Sequence, residues 1–271
     1  MFEPSTELVT MIAAARTAGV GLMGHFRDRS KLKVELKGPA DFVSNADLES
    51  EHALRSALLG AYPACGFVAE ESAATAGSDT SARFIVDPLD GTTNFLHGVP
   101  HFAVSIALER KGSVVAGVVF DPAKDEMFVG EVGRGAWLDG ERLRVSDDVD
   151  LGGALVGTGI PQVGRQARHA SYLVQLAGVM REAAGVRRMA AAALDLAYVA
   201  AARFAVFFEF GLAPWDIAAG MLLVREAGGQ VSEPGGGADV LGSGDVLATN
   251  GRLHEPMLAL LRRGAPSAPQ S

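Results

Sequence analysis

The segment Asp87-Pro88-Leu89-Asp90-Gly91-Thr92-Thr93-Asn94 combines residue types that could bind a cation and a phosphate together. Its two carboxylates follow an apolar run, and the Leu89 carbonyl can supply a third oxygen between them. Oxygen ligands of this kind suit a hard cation. Gly91 permits close approach of the backbone, while Thr92 and Thr93 stand at the predicted N-terminus of a helix, which favours an anion. A helix cap would explain one aspartate but not both.

Acidic residues elsewhere in the chain could join this segment. Glu70-Glu71 follows a short apolar run, and Asp216 ends a Pro-Trp-Asp sequence. Alone, the glutamates could be a solvated strand end, and Asp216 could complement a helix dipole. If Glu70 and Asp216 converge with the two aspartates, unit charges about 4 Å apart repel by about 4 kcal/mol per pair at an effective dielectric constant of about 20. Such a site requires cations, and its all-oxygen ligands favour Mg²⁺ or Mn²⁺ over Zn²⁺.

Apolar periodicity predicts the elements that must position these side chains. Steps of three and four indicate helices over about residues 5 to 27, Asp47 to Leu59, His169 to Ala184, Leu194 to Ala202 and Pro214 to Ala227. Short apolar runs predict strands at Gly66–Ala69, Arg83–Val86, Ala103–Leu108, Val114–Phe120, Ala154–Val156, Val186–Met189, Phe204–Phe208 and Val246–Thr249. Two helices are therefore expected before the first strand. A turn at Lys111-Gly112 predicts an antiparallel hairpin.

Two other patterns have simpler interpretations than the functions they suggest. Gly19-Val20-Gly21-Leu22-Met23-Gly24 matches the dinucleotide fingerprint G-x-G-x-x-G, but it lies inside a predicted helix and follows no strand. We interpret its glycines as sites of close helix packing. His97 and His101 have the spacing of a helical metal pair, but Pro100 separates them, so we interpret them as loop residues.

Composition narrows the class of protein. The 24 basic and 32 acidic residues give a net charge of −8, which argues against nucleic acid or an anionic membrane as partner. A single cysteine, Cys65, excludes an intrachain disulfide and suggests the cytoplasm. The first residues lack the positive region of a secretory signal. The long apolar segment from Leu194 to Phe210 contains charged residues and is too short to span a membrane.

Taken together, the motifs resemble the inositol monophosphatase family over nearly the whole chain. The resemblance rests on Lys37–Asp47 (with Ser44 where threonine is usual), Glu70-Glu71-Ser72, Asp87–Phe95, Trp215–Gly220 and Glu226–Gly229. It implies a mixed α+β and α/β fold, a layered α-β-α-β-α sandwich shared with fructose-1,6-bisphosphatases, and a homodimer. A single catalytic domain over residues 1–264 would comprise a metal-binding α+β half (1–145) and an α/β half (146–264), with a flexible tail at 265–271.

The same resemblance implies roles for individual residues. Two to three Mg²⁺ ions, or Mn²⁺, would be held by Glu70, Asp87, the Leu89 carbonyl, Asp90 and Asp216. The nucleophile would be water, positioned by Glu70 and Thr92, with Thr92 oriented by Asp47. Lithium would inhibit the reaction. Substrate contacts would come from Asp90, Gly91, Thr92, Ala190, Ala191, Ala192, Glu209 and Asp216.

The expected reaction is Mg²⁺-dependent hydrolysis of a small polyol phosphate, with inositol 1-phosphate as the leading substrate. Ala190-Ala191 stands where the family usually has glycine followed by serine or threonine, and Ala205 stands where aspartate is common. These departures leave inositol selectivity open. One alternative keeps the mechanism but acts on fructose 1,6-bisphosphate, a nucleotide phosphate or histidinol phosphate. A second alternative is a weakly active regulatory binding protein.

Overall fold

This computed structural model describes residues 3–39, 41–161 and 166–263, which form a mixture of strands and helices. The elements up to residue 145 are α1 (Thr6–Arg27), β1 (Val34–Gly38), β2 (Asp41–Ser44), α2 (Asn45–Ala61), β3 (Cys65–Ala69), β4 (Asp79–Asp90), α3 (Thr92–Leu96), β5 (Ala103–Arg110), β6 (Ser113–Asp121), β7 (Glu126–Glu131), β8 (Gly135–Leu138) and β9 (Glu141–Arg142). Those that follow are β10 (Leu155–Thr158), α4 (His169–Glu182), β11 (Gly185–Arg187), α5 (Ala192–Ala200), β12 (Val206–Glu209), α6 (Pro214–Glu226), β13 (Gln230–Ser232), α7 (Val240–Ser243), β14 (Val246–Thr249) and α8 (His254–Arg263). The tail expected at 265–271 lies outside the described residues.

Two large sheets carry these elements. The first has the strand order β3-β4-β5-β6-β7-β8-β9, with a parallel β3–β4 pair and antiparallel neighbours thereafter. The second has the order β11-β10-β12-β14-β13, in which β10 runs parallel to β11 and β12. Its other two pairings are antiparallel. The hairpin β1–β2 is separate from both sheets.

Helices cover both faces of each sheet. Helices α1 and α2 pack on one face of the seven-stranded sheet, and α5 and α6 fill the space between its other face and the five-stranded sheet. Helices α4 and α8 pack on the outer face of the five-stranded sheet. The predicted α-β-α-β-α sandwich is therefore confirmed. No helix among the described residues is sufficiently long and apolar to cross a membrane.

Most predicted elements occur within about two residues of their expected bounds, but one hairpin was not predicted. The hairpin β1–β2 lies between the first two helices, and both helices precede β3, the first strand of the two large sheets, as expected. All but the last residue of β1 are exposed, so the strand lacks the apolar alternation that marks a half-buried strand.

One glycine of the glycine-rich part of α1 packs closely against the seven-stranded sheet. A Cβ at Gly19 would come within 2.5 Å of the Phe120 ring on β6, so only glycine allows this close approach between helix and sheet. The packing interpretation therefore holds for Gly19 alone among the three glycines of the pattern, because a Cβ at Gly21 or Gly24 would meet no other atom within 4 Å. The β5–β6 hairpin is also confirmed, and Lys111 and Gly112 take positive φ angles at its turn.

Candidate active site

The end of β4 places two carboxylates inside the protein. Asp87 and Asp90 are 1% and 8% exposed, and the pairing with β5 is irregular between them. Asp87 Oδ1 accepts a hydrogen bond from the Leu89 N–H at 2.9 Å. Asp90 Oδ2 accepts one from the Ala193 N–H at 2.8 Å, in the first turn of α5. The strand end is thus attached to the central helix layer through a site carboxylate.

Gly91 turns the chain from β4 into the short helix α3. Its φ of +91° lies in the left-handed region, which glycine adopts without the steric cost that a side chain brings. A Cβ here would also lie 3.1 Å from the His101 carbonyl oxygen and 3.3 Å from that of Ala190. This tight turn places Thr92 and Thr93 immediately beside Asp90, as the sequence pattern suggested.

Thr92 and Asp47 meet although 45 residues separate them. Asp47 Oδ2 caps the N-terminus of α2 by accepting from the Ser44 N–H at 2.9 Å and the Ser44 Oγ at 2.6 Å. Asp47 Oδ1 is directed to the Thr92 hydroxyl at 3.2 Å. The Thr92 hydroxyl also lies 3.1 Å from the Leu89 carbonyl oxygen. One carboxylate therefore both starts a helix and orients a hydroxyl of the site.

Glu70 lies just after β3 and is held by a lysine from the separate hairpin. Lys37 Nζ donates to Glu70 Oε1 at 2.7 Å and to Glu71 Oε1 at 2.8 Å. Burial alone would lower the pKa of Lys37, but its two glutamate partners outweigh burial and raise it. Burial raises the pKa of Glu71 to about 7, although Lys37 acts in the opposite direction. Lys37 thus brings positive charge to the edge of the acidic site.

Asp216 reaches the same place from α6, which Pro214 opens. Its Oδ2 accepts a hydrogen bond from the Ala213 N–H at 2.7 Å, so the residue does complement the start of this helix. It also lines the cavity into which Asp87 and Asp90 face. Asp216 therefore complements the start of α6 and also lies beside the other acidic residues of the cavity.

These elements enclose a cavity of about 160 Å³. It brings together most of the site residues expected from the sequence, together with side chains that the sequence did not single out. Its lining residues are Phe42, Glu70, Asp87, Leu89, Asp90, Gly91, Thr92, Thr93, Ile160, Arg188, Ala190, Ala192, Glu209, Leu212 and Asp216. Two expected residues stand behind this lining: Asp47 acts through Thr92, and Ala191 is 1% exposed and packs in the core.

The carboxylates in this cavity raise one another's pKa. The pKa of Asp87 is well above its ordinary value because of burial and because Glu70, Asp90 and Asp216 are close by. Burial and Asp216 raise the pKa of Asp90 in the same way. Charged carboxylates are costly in such a place unless cations neutralise them.

The residues fit hard divalent cations by the chemistry of their donors. Among the described residues, no three His, Cys, Asp or Glu side chains form a ready-made metal site. Lys37 and backbone N–H groups hold the carboxylates in their present positions. The donor set nevertheless consists of carboxylates and a carbonyl, all oxygen, and the two buried aspartates would gain a counter-charge. Oxygen-rich, sulfur-free sets of this kind suit Mg²⁺ or Mn²⁺.

Cavity size alone would not have located this site. A larger cavity of about 590 Å³ lies beside α4 and α8, where Arg168 forms an ion pair with Asp245 at 2.8 Å. Its acidic side chains are Asp245 and Glu233 alone, whereas five carboxylates line the smaller cavity. The smaller cavity is therefore the candidate active site.

Comparison with known proteins agrees with this architecture. The model of the inositol monophosphatase family matches residues 3–265. The chain belongs to the inositol monophosphatase family. An inositol-1-monophosphatase of Rhizobium meliloti is 49% identical over 263 residues, covering 97% of this chain and 98% of that protein. The Nus factor SuhB of Escherichia coli K12 is 43% identical and covers 93% and 94% of the two chains.

Solved structures show the same fold. The crystal structure of the extragenic suppressor protein suhB from Bartonella henselae has a TM-score of 0.94 and 46% identity, with 96% of this chain and 100% of that chain covered. An inositol monophosphatase from Thermotoga maritima has a TM-score of 0.84 and 32% identity, with 93% and 95% covered. Nearly all of the given sequence therefore matches a family of metal-dependent phosphatases.

Ala190 and Ala205 replace residues that the inositol monophosphatase family usually has, and they lie in different parts of the fold. Ala190 has a φ of +65° and lines the cavity, so an alanine occupies a left-handed position there. Asn94 Nδ2 donates to the Met189 carbonyl at 2.8 Å and so holds this turn. Ala205 is buried on the other side of the five-stranded sheet.

Two cationic residues of the site were not assigned by sequence reasoning. Lys37 belongs to a motif that the resemblance used, but its contact with Glu70 depends on the overlooked hairpin. Arg188 lies between β11 and α5 and lines the cavity. No local pattern distinguishes Arg188 from its neighbour Arg187, so only the folded structure identifies it.

Proposed function

We propose that this protein hydrolyses a small polyol monophosphate in the presence of Mg²⁺, with inositol 1-phosphate as the leading substrate. The observation that carries the proposal is the arrangement of Glu70, Asp87, the Leu89 carbonyl, Asp90 and Asp216 around one cavity. These donors come from β3, β4 and α6, so the fold itself assembles them. Relatives named inositol-1-monophosphatase support the choice of substrate.

Two to three Mg²⁺ ions would be held by these five residues. Bound Mg²⁺ supplies positive charge to the phosphoryl oxygens and the leaving oxygen, and it makes water a better nucleophile at neutral pH. Asp87, Asp90 and Asp216 hold their positions through backbone N–H groups, so the ligand set is preorganised by the main chain. Without cations, the same carboxylates would repel a phosphate dianion.

Glu70 and Thr92 are positioned to direct a water molecule. Asp47 Oδ1 and the Leu89 carbonyl both accept from the Thr92 hydroxyl, so the Thr92 oxygen keeps a lone pair for a water proton. Lys37 Nζ donates to Glu70 Oε1 and so orients this carboxylate, and a carboxylate can accept a proton from that water. The structure thus supports roles for Glu70 and Thr92 with water and for Asp47 in orienting Thr92.

The opposite wall of the cavity would contact the alcohol. Glu209 lies across Gly159, where a Cβ would overlap its carboxylate, and from there it can accept hydrogen bonds from polyol hydroxyls. Ala190 and Ala192 narrow the space beside it. The Gly91 and Thr92 backbone would contact the phosphate, with Asp90 and Asp216 nearby.

The test is phosphate release by the purified protein from inositol 1-phosphate, fructose 1,6-bisphosphate, adenosine 2′-phosphate and histidinol phosphate. Each substrate is measured with Mg²⁺, with EDTA, and with Mg²⁺ plus Li⁺. We expect turnover that requires Mg²⁺, falls with Li⁺, and has its highest kcat/KM on inositol 1-phosphate. A higher kcat/KM on another of the four compounds would make that compound the preferred substrate and leave the proposed mechanism unchanged. Turnover that persists in EDTA would overturn the metal mechanism.

A regulatory binding role is the second candidate, because several relatives at 43% identity are named Nus factor SuhB. It would be supported by a stoichiometric partner recovered with the purified protein together with no Mg²⁺-dependent turnover on any of the four substrates. We also expect a homodimer from the family resemblance and a cytoplasmic location from the single cysteine, and the mass in solution tests the first of these expectations.

A further inference from the structure

Asn94 lies in α3, immediately after the two threonines of the site, and its side-chain amide faces three backbone carbonyls. Its Nδ2 donates to the carbonyl oxygens of His101 and Met189, both at 2.8 Å, and lies 3.4 Å from the carbonyl oxygen of Ala190. The Asn94 amide nitrogen carries two protons, and all three of these neighbours are acceptors. Both protons are therefore engaged by backbone groups of other segments.

The same carbonyls crowd the turn at Gly91. A Cβ on Gly91 would lie 3.1 Å from the His101 carbonyl oxygen and 3.3 Å from that of Ala190. One amide group thus holds together the turn after β4, the connection from α3 to β5, and the connection from β11 to α5. The last of these connections is about a hundred residues away in sequence, since 95 positions separate Asn94 from Met189.

Ala190 needs such a contact because its backbone is strained. Its φ of +65° lies in the left-handed region, where a residue other than glycine stays only if its surroundings hold it. The carbonyls of Met189 and Ala190 belong to the two peptide groups that flank the Ala190 Cα. Asn94 Nδ2 faces both of these oxygens, so it opposes rotation of the two peptide groups toward an unstrained conformation.

The segment that starts at Met189 is attached to the acidic side of the cavity at two points. Asn94 holds its beginning, and Asp90 Oδ2 accepts from the Ala193 N–H at its end. Ala190 and Ala192, which lie between these points, line the cavity. Asp90 also belongs to the proposed metal donors, whereas Asn94 does not line the cavity. The wall can therefore be perturbed through Asn94 without removing a metal ligand.

We propose that Asn94 is a positioning residue for substrate binding. By holding the left-handed turn at Ala190 against the turn at Gly91, it sets the place of a cavity wall that the substrate contacts. This inference rests on the proposed phosphatase function and adds a residue that governs its substrate affinity. Asn94 would act on KM more than on kcat, because Asp90 and Thr92 have hydrogen bonds of their own that do not involve it.

The experiment removes the amide and asks whether glycine at position 190 compensates. Asn94→Leu keeps a side chain of similar shape without donors, and we expect the KM for inositol 1-phosphate with Mg²⁺ to rise about tenfold, with kcat within about threefold of wild type. In the Ala190→Gly background, the left-handed turn carries no steric cost, so the same substitution should raise KM by less than about threefold. A general loss of packing would raise KM equally in both backgrounds.

Asn94→Ala is the second variant, in case leucine impairs folding. Asn94 is half-buried, so its truncation lets water reach the three carbonyls. We expect a smaller rise in KM than in Asn94→Leu, with the same dependence on the residue at position 190.

Asn250→Ala is the matched control. Asn250 is a buried asparagine whose Nδ2 also donates to a backbone carbonyl, that of Asp148 at 2.9 Å, and it does not line the cavity. Its substitution should leave the KM for inositol 1-phosphate unchanged even where it lowers the melting temperature. An equal rise in KM in Asn250→Ala and Asn94→Ala would show that lost stability, and not the position of the wall, weakens binding.

The failure of this inference can be distinguished from the failure of the proposed function. An unchanged KM in both Asn94 variants, or an equal rise in both backgrounds, would overturn the role of Asn94, while Mg²⁺-dependent turnover by wild type keeps the function. Absence of wild-type turnover would overturn the function and with it the effect on affinity. The link itself is then tested by denaturant unfolding. Ala190→Gly should raise the unfolding midpoint when Asn94 is present and not in the Asn94→Leu background, and an equal rise in both would contradict the link.

Discussion

At the scale of single residues, Asp90 combines a structural contact with a charge that the proposed metal site would need. Its Oδ2 accepts the Ala193 N–H, and an amide oxygen can accept the same bond. We therefore expect Asp90→Asn to keep the fold but to lower kcat by at least about 10²–10³-fold, since it removes a ligand charge from the site. In EDTA at pH 8 its melting temperature should not fall, because a repulsive buried charge has been removed.

Asp125→Asn is the control for this substitution, because Asp125 is exposed and pairs with Arg16 on the surface. It should leave kcat within twofold of wild type. Circular dichroism and steady-state phosphate release measure the two effects. Turnover of Asp90→Asn near that of wild type would contradict the proposed ligand set.

Ala190 carries backbone strain at the cavity wall. Its φ of +65° places a Cβ in the left-handed region, at a cost of roughly 1–2 kcal/mol that glycine does not incur. We expect Ala190→Gly to raise the free energy of unfolding by up to about 1 kcal/mol, because glycine's greater freedom in the unfolded chain offsets part of the relief. Removal of the methyl group should also lower the KM for inositol 1-phosphate.

The Ala202→Gly variant distinguishes the relief of backbone strain from the removal of a methyl group at the cavity. Ala202 also has a positive φ, +58°, but it follows α5 at the end distant from the cavity lining. Ala202→Gly should stabilise the protein by a similar amount and leave KM unchanged. Denaturant unfolding and steady-state kinetics of both variants provide the comparison. A KM that falls equally in both would show that strain, and not the methyl group, limits binding.

At the scale of elements, the N-terminus of α2 contributes separately to stability and to the site. Ser44→Ala removes a capping hydroxyl and should lower the free energy of unfolding by about 1 kcal/mol, with kcat within twofold of wild type. Asp47→Ala removes the cap and also the acceptor for Thr92. Its kcat should therefore fall by about 10²-fold with little change in KM. An equal loss of kcat in both variants would mean that helix stability alone controls the activity.

Elements with strong local patterns could be predicted from the sequence, whereas contacts between distant elements could not. The amphipathic helix α1 and the β5–β6 hairpin follow from apolar spacing and turn residues. The β1–β2 hairpin is short and exposed, so the apolar pattern missed it, and the contact of Lys37 with Glu70 was missed with it. The family resemblance supplied the pairing of Asp47 with Thr92, which spacing alone could not reveal.

Arg188 and the left-handed φ of Ala190 show a second limit of sequence reasoning. The departure from glycine at position 190 was visible in the sequence, but its backbone conformation was not. Likewise, nothing local distinguishes Arg188 from Arg187, because only the path between β11 and α5 directs one of them to the cavity. Motifs therefore predicted the metal-binding side of the candidate site better than its alcohol-binding side.

At the scale of the whole molecule, the site lies where the central helix layer meets the seven-stranded sheet. Asp87 and Asp90 belong to β4, Asp216 belongs to α6, and Ala193 of α5 donates to Asp90. Occupation by cations would therefore connect two layers of the sandwich. A ligand that binds only the folded state stabilises it by about 2.7 kcal/mol at a hundredfold excess over its Kd.

This coupling makes the stability of the protein depend jointly on Mg²⁺ and pH. In the folded protein without metal, burial and mutual repulsion raise the pKa of Asp87 and Asp90 above the values of the unfolded chain. The folded state therefore holds more protons, and its free energy of unfolding falls as pH rises from about 4 through the raised pKa values. Mg²⁺ competes with those protons. We expect it to raise the melting temperature by several degrees at pH 8 and by clearly less at pH 5.5, measured against EDTA. In the Asp87→Asn/Asp90→Asn double variant, the shift should disappear at both pH values, and equal shifts in wild type at the two pH values would contradict a metal site built on these aspartates.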